Sequence, residues 1–380
     1  MDIPHPDPRR PRGLRVVTSE RADTVRVVVA WGVLPVLLLV GASCAQARLT
    51  PGDAFTLVTW NTENLFDAHA DGTEYDRYNP LRGEWDERSY HTKLNNAVRV
   101  IGAAAAAEDL GILVLQEVEN RAVLGDLWDL LDRYQFEYAF MLDEAPGAVH
   151  NAVFSRFPII EARTHALSTP WAEPGRLILE LDIALNPEQT LVLFANHWPS
   201  RRGGAEETEA SRRVAAAVIA RRAHARSDDR DAAVLVVGDL NTNHDEYERV
   251  RGAYPTALLP ASRAGIYGGR DHIFLTDDIA GLRSGGDSGA AHGGLVLYSP
   301  WNDGAGPGSY VFDGEWYTID HILFGRGFAP EEALRLDTFT VVADAFMLDH
   351  RGAPIRFRVD RASGYSDHLP LAVRIVRPAQ

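Results

Sequence analysis

The strongest constraint on this chain is an alternation: apolar runs of strand length are separated by helical stretches, and several runs close on an unusual polar residue. The runs Phe55–Trp60, Ile112–Leu115, Asn151–Phe154, Leu177–Leu185, Leu191–Phe194, Ala233–Val237, Ile322–Phe324 and Leu369–Val376 are rich in Val, Leu, Ile and Phe. Gly, Pro, Asn or Asp bounds each of them, as expected of buried strands. Glu87–Ala107, Arg121–Tyr134 and Glu206–Arg226 read as helices, the last Ala- and Arg-rich with few breakers. Because the two classes interleave to the C-terminus, the expectation is a single α/β domain over residues 48–380, its first strand beginning near Phe55. The segment Gly265–Tyr317, thick with Gly, Asp and Ser, reads as long loops.

The polar residues that close these runs form a second pattern. Asn61 ends FTLVTW, Glu117 ends ILVLQ, His197 follows TLVLFAN, and Asp239 and Asn241 follow AAVLVVG. Asp320 stands before HILF, and Asp367 with His368 before LPLAVRIV. If the last two strands run opposite to the first four, all these groups meet at one edge of the sheets, which mixed sheets permit. A single Asp at a strand end is usually a turn or a helix cap, and a single Asn or His a turn or core residue. Caps, however, have no reason to choose the same edge repeatedly.

Glu117, Asp239, Asp320 and Asp367 have no Arg or Lys beside them in sequence. Packed together they would repel unless a cation sat among them. Oxygen ligands without Cys suit a hard ion, Mg²⁺, Mn²⁺ or Ca²⁺, and such an ion bridges phosphate oxygens and helps activate water. The two His would supply proton transfer or a positive contact. Arg156, Arg201 and Arg202 are candidate donors to substrate phosphate.

Charge narrows the substrate class. The chain carries 53 acidic and 38 basic residues, a formal net charge of −15. Capture of nucleic acid without regard to sequence normally rests on the opposite sign. Small phosphoesters, or a polyanion approached through a bound metal, fit better. A single Cys excludes an intrachain disulfide framework and a Cys-based zinc site.

That Cys lies in a telling place. Val27–Ser43 is uncharged and mostly apolar, with Arg residues before it. A basic flank, a short apolar core and a small-residue exit describe a secretory leader, so residues 1–47 are read as an export segment. Cys44 follows Gly41, Ala42 and Ser43 and resembles a lipobox Cys, with Gly41 where Leu is usual. Ala45-Gln46-Ala47 offers ordinary cleavage instead. The expected location is therefore the outer surface or periplasm, lipid-anchored at Cys44, or otherwise secreted.

The segments TWNTENLFD, LQEVEN, NHWPSR, VVGDLNTN, TIDHILF and YSDHLPL resemble the ordered motifs of the endonuclease/exonuclease/phosphatase superfamily. The likeness spans about residues 55 to 378, and KLNNAVRVI and NAVFSRFPI resemble secreted bacterial members. It implies a four-layer sandwich, two mixed β-sheets packed face to face with helices outside, and a metal-dependent phosphoric ester hydrolase. It further implies Glu117 as main metal ligand with Asn61 beside it and Asp367 completing the metal side. Asp239 would orient or deprotonate the attacking water, with Asn241 holding water and phosphate. His368, oriented by Asp320, would contact the scissile phosphate, and His197 would be acid to the leaving group.

A phosphodiesterase or nuclease ranks first, ahead of a phosphatase, a lipid phosphodiesterase of the sphingomyelinase kind, or a non-catalytic surface binder. No exposed aromatic hairpin of the sort that enters a membrane is evident in the sequence. Trp171, Trp301 and Trp316 fall in loop-like text, where they would stack on a base, dip into lipid or pack in the core. The partner is a phosphoester substrate, nucleic acid included, with the membrane reached only through a lipid anchor and no obligate protein partner. No G-x-S-x-G stands at a strand-to-helix turn, which argues against a serine hydrolase.

Overall fold

In the computed structural model of the chain, the described residues are 25–26, 48–50, 52–105, 109–143, 147–169, 176–226, 229, 232–282, 293–304, 306–330 and 332–379. The apolar leader, Cys44, the Ala45–Ala47 exit and Trp171 lie outside them. Among the described residues no helix is long and apolar enough to cross a membrane.

The strands, in chain order, are β1 (Val25–Arg26), β2 (Ala54–Leu65), β3 (Leu110–Val118), β4 (Tyr138–Met141), β5 (His150–Ser155), β6 (Ile159–His165), β7 (Ile178–Asn186), β8 (Gln189–His197) and β9 (Ala232–Asp239). They continue as β10 (Leu258–Pro260), β11 (Ile273–Thr276), β12 (Leu295–Tyr298), β13 (Tyr310–Phe312), β14 (Glu315–Tyr317), β15 (Asp320–Phe324), β16 (Arg335–Val341) and β17 (Leu371–Val376). The principal helices are α1 (Glu87–Ala104), α2 (Arg121–Leu130) and α3 (Ala205–Ala225). One sheet has the order β16-β17-β2-β3-β5-β4, the other β1-β6-β7-β8-β9-β15-β12-β11-β10, and β13-β14 is a separate hairpin. Both large sheets are mixed: β2 runs parallel to β3 and β8 to β9, whereas β17 is antiparallel to β2 and β15 to β9.

Alternation along each strand builds the layers. In β9, Ala233, Leu235 and Val237 face the other sheet and share a buried cluster with Leu57, Ile112, Val114, Leu371 and Val373. Val234 and Val236, on the opposite face, pack with Ala215, Ala216, Ile219 and Ala220 of α3. In the six-stranded sheet, Val58, Leu113 and Leu115 turn outward against Leu94, Ala97 and Ile101 of α1 and Val123, Leu124 and Leu127 of α2. Helices, sheet, sheet and helix thus give the expected four-layer sandwich. Cover on both faces is why the central strands read as unbroken apolar runs.

Helix starts follow local chemistry. Asp86 caps α1 by accepting from Ser89 N at 2.7 Å, and Asn120 caps α2 by accepting from Ala122 N and Val123 N. The last turn expected of α2 is instead a 3-10 turn, Asp132–Tyr134, closed by Gln135 at φ 55°.

The segment expected to be long loops is corrected by the structure. It contributes β11 and β12, which pair in parallel with each other inside the larger sheet, and the β13-β14 hairpin. IFLT and LVLY are runs of only four residues, too short to stand out among Gly and Asp, and tertiary pairing defines them. The strand β6, flanked on its outer side only by the two-residue β1, and the edge strand β16 carry charged residues on a solvent face and escape a reading based on apolar runs.

Candidate active site

Strand register creates the site. His197, Asp239 and Asp320 are Cα partners on the three neighbouring strands β8, β9 and β15, so their side chains emerge side by side. From the facing sheet come Asn61 near the end of β2, Glu117 on β3, and Asp367 and His368 just before β17. Asn61 spans the gap between the sheets: its Nδ2 donates to Asp239 Oδ2 at 3.0 Å and to Glu117 Oε1 at 3.3 Å. These seven residues therefore meet at one edge, as their positions in sequence suggest.

The backbone at this edge is irregular. Glu63, Asn64, Glu117 and Asn241 all have positive φ, between 50° and 63°. The β2–β3 and β3–β5 registers shift on either side of Glu117, a bulge that re-aims its carboxylate. Each such residue costs about 1–3 kcal/mol, a strain that tends to gather at functional sites. Gly238, at φ 120°, lets β9 approach β8 so closely that a Cβ there would meet the Asn196 carbonyl oxygen. That close approach places Asp239 beside His197.

Asp320 Oδ2 accepts from His368 Nδ1 at 2.8 Å and from Ser309 Oγ at 2.6 Å. Burial alone would lower the pKa of His368, but the charge and hydrogen bond of Asp320, then Asp239 and Asp367, push it well above 6.5. His368 is thus an imidazolium, with Nε2 at 3.9 Å from both Asp239 Oδ2 and Asp367 Oδ1. Burial, and next the charge of Asp320, push Asp239 up to about 7. Asn241 N donates to Asp239 Oδ1 at 2.9 Å. Burial likewise raises the carboxyl of Glu117 above its ordinary range.

Two expectations are corrected, for Arg156 and for the hairpin, and two others gain detail, for His197 and Asn61. Arg156 follows β5 and donates its backbone N–H to Gly111 O, at the other end of β3 from Glu117. Six strand residues separate those ends by roughly 20 Å, so Arg156 cannot reach this edge. His197 sits 3.6 Å from Glu117 Oε1 and Asp239 Oδ2, yet burial, then Arg176 and His368, push its pKa well below 6.5. Its imidazole stands beside both carboxylates without a hydrogen bond to either, and its environment favours the neutral ring. Asn61 turns its Nδ2 to both carboxylates while its Oδ1 accepts from Glu63 N at 3.0 Å, so it braces the two acids across the gap. Finally, β13 and β14 do form an aromatic hairpin: Asp313 and Gly314 at positive φ close it, and Phe312 at its tip is 55% exposed beside the cleft. A two-residue turn with positive φ at both positions marks such a hairpin.

The cleft, about 940 Å³, is lined by Glu63, Glu117, Asp239 and Asp367, and by Arg77, Arg176, Arg201, Arg202 and Arg356. Arg202 is exposed, whereas Arg201 is held by a bidentate pair to Glu246 at 2.7 and 2.9 Å. Asn241 Nδ2 donates to Trp198 O, and Arg176 donates to the same carbonyl. Several of these groups escape the sequence reading. Glu63, inside the quoted motif TWNTENLFD, is buried and accepts from Arg356, Phe357 N and Asp367 N. Its position two residues after Asn61 was a usable signal. Tyr310, whose ring lies 4.7 Å from that of His368, is brought in by the β13-β14 hairpin, and Arg176 and Arg356 by irregular segments; none of the three carries a local signature. Trp301 is core: it is 4% exposed and donates from Nε1 to Asp320 O.

The donor set fits a hard divalent ion. Carboxylates of Glu117, Asp239 and Asp367 line the same cleft without sulfur ligands, and Asp320 Oδ1 is buried with no hydrogen-bond partner among the described residues. Asp239, Asp320 and His368 offer atoms within 4.8 Å of one another, but the imidazolium already balances that trio. The carboxylates left to a cation are those on the Glu117 and Asp367 side.

A two-sheet α/β sandwich with acids, amides and two His at one sheet edge defines a class of hydrolytic scaffold. The chain belongs to the endonuclease/exonuclease/phosphatase family, whose model matches residues 56–253. No curated protein matches the chain at a significant level. Among solved structures, a humanized D. rerio TDP2 with 14 mutations is 15% identical, covering 85% of this chain and 98% of that one, with a TM-score of 0.48. An endonuclease/exonuclease/phosphatase from Beutenbergia cavernae is 16% identical over 86% and 72% of the two chains, with a TM-score of 0.49. The mannosyl-6-phosphatase of Bacteroides thetaiotaomicron is 16% identical over 85% and 99%, with a TM-score of 0.46.

Proposed function

We propose that the protein is an exported, divalent-metal-dependent phosphoester hydrolase, acting as a phosphodiesterase or nuclease by in-line attack of an activated water. The observation that carries this reading is the charge arrangement around Asp239. A carboxylate whose pKa is near 7 stands 3.9 Å from an imidazolium that Asp320 keeps charged. Asp239 is suited to take a proton from water near neutral pH, oriented by Asn61 Nδ2 and Asn241 N. His368 directs a charge-assisted donor, Nε2–H, into the space where a phosphate oxygen gains charge. A hard ion held by Glu117 and Asp367 would supply Lewis-acid stabilisation of the phosphate and the leaving oxygen. Arg202, exposed on the cleft wall, favours an anionic substrate locally, against the chain's overall −15.

The test uses plasmid DNA and a chromogenic phosphodiester in parallel, with Mg²⁺, Mn²⁺, Ca²⁺ or EDTA. Nicking of DNA that is abolished by EDTA and by Asp239→Ala supports the nuclease reading. Turnover of the small diester alone moves the substrate to small or lipid phosphoesters, the second reading that Phe312 at the cleft rim favours. Absence of both activities in folded protein leaves a surface binder.

Export rests on the leader of residues 27–43 and on Cys44. In a bacterial host, Cys44→Ser is expected to move the protein from the membrane fraction to the soluble exported fraction. An unchanged distribution rules out the lipid anchor.

A further inference from the structure

A second acidic cluster stands apart from the catalytic edge. One ligand oxygen from each of Asp71, Glu74 and Glu119 lies within 4.8 Å of the other two, and none of the three lines the cleft. Glu119 is 2% exposed: its Oε2 accepts from Asp67 N at 2.7 Å, and its Oε1 is buried with no hydrogen-bond partner among the described residues. A buried carboxylate oxygen without a donor is costly. Asp67, Asp71 and Glu74 all bring further negative charge to it. Asp67 cannot relieve the deficit, because its carboxylate has no hydrogen to donate and itself accepts from His69 N and Asn120 Nδ2.

We propose that Asp71, Glu74 and Glu119 bind a calcium ion that ties the loop after β2 to the end of β3. All donors are carboxylate oxygens, the ligand type of hard cations. They come from an irregular loop and a strand end, an arrangement that suits the flexible coordination of Ca²⁺ better than the strict octahedron of Mg²⁺. Asp71 is exposed, so water completes the shell. The loop is already shaped for the purpose: Asp71 Oδ1 accepts from Thr73 N and Oγ1, and the Glu74 carboxylate accepts from Gly72 N. The same loop carries Arg77 and Tyr78 into the cleft wall. An ion at its base therefore stiffens one side of the active site without touching the chemistry. This inference is independent of the substrate and of the catalytic ion.

The experiment is calcium titration calorimetry on the full chain carrying Glu117→Gln and Asp367→Asn, which removes the carboxylates assigned to the catalytic ion. One calcium site is expected to persist, and adding Asp71→Asn and Glu74→Gln is expected to weaken it at least about tenfold. Asp71 and Glu74 are chosen over Glu119 because both reach solvent and their amides preserve size; circular dichroism checks the fold. As a second measurement, calcium should raise the melting temperature of the wild-type chain but not of the Asp71→Asn, Glu74→Gln variant. No calcium binding in the Glu117→Gln, Asp367→Asn chain overturns the proposal. So does binding, or a melting shift, that the loop substitutions leave unchanged.

Discussion

At the scale of single residues, two His show how burial sorts identical side chains. His368 faces Asp320 at 2.8 Å and is held charged, whereas His321, fully buried next to Asp320 in sequence, donates from Nε2 to Thr242 O and has no donor to Nδ1 among the described residues. Replacing Asp320 with Asn removes the main support of the imidazolium. The alkaline limb of the pH–rate profile should then move to lower pH, and kcat should fall by roughly 10²–10⁴. A profile that keeps its shape would contradict the assigned partnership. Burial lowers His321 from 6.5 to about 4, so in that window the unfolded chain binds more protons than the folded one. Stability is therefore full above pH 6.5 and falls by about 3 kcal/mol as pH drops to 4. Melting temperatures of wild type and His321→Gln between pH 4 and 7 check this: the wild-type curve should slope, the variant curve should flatten.

At the scale of elements, the strand ends matter most. Gly238→Ala would drive a methyl group into the Asn196 carbonyl and split β8 from β9 where His197 and Asp239 meet. It should cost more than about 1 kcal/mol, and its activity loss should be out of proportion to the loss of stability. Equal activity in the folded variant would show that the close approach is not needed. The hairpin makes a contrasting case. Phe312 is 55% exposed at the cleft, so Phe312→Ala should leave the melting temperature unchanged and raise KM. Arg156→Ala, at the far end of β5, should change neither.

At the scale of the whole molecule, Leu193 and Leu235 of one sheet share a buried layer with Leu57 and Val114 of the other. Leu193→Ala should cost about 2–5 kcal/mol. Because neither sheet can expose that face alone, both should be lost in one transition. Urea unfolding followed by tryptophan fluorescence and by circular dichroism should give coincident curves, and separated midpoints would show that the sheets unfold independently.

The central strands, the three helices and the strand-end acids could be read from residue order alone. Two-sided burial leaves unbroken apolar runs, and a charged residue at the end of such a run has few structural excuses. Asn61, Glu117, Asp239 and His368 were visible for that reason. Strand direction was not, and with it the exclusion of Arg156, whose position in sequence says nothing about which end of a sheet it occupies. Nor was the neutrality of His197, which arises from burial beside Arg176 and His368. The short strands β11 and β12, the hairpin that brings Tyr310 onto His368, and the loop that sets Asp71 and Glu74 against Glu119 depend on contacts between distant segments. Local chemistry determined which residues could act; only the packing of two sheets decided which of them meet, because distance and burial are properties of the folded chain.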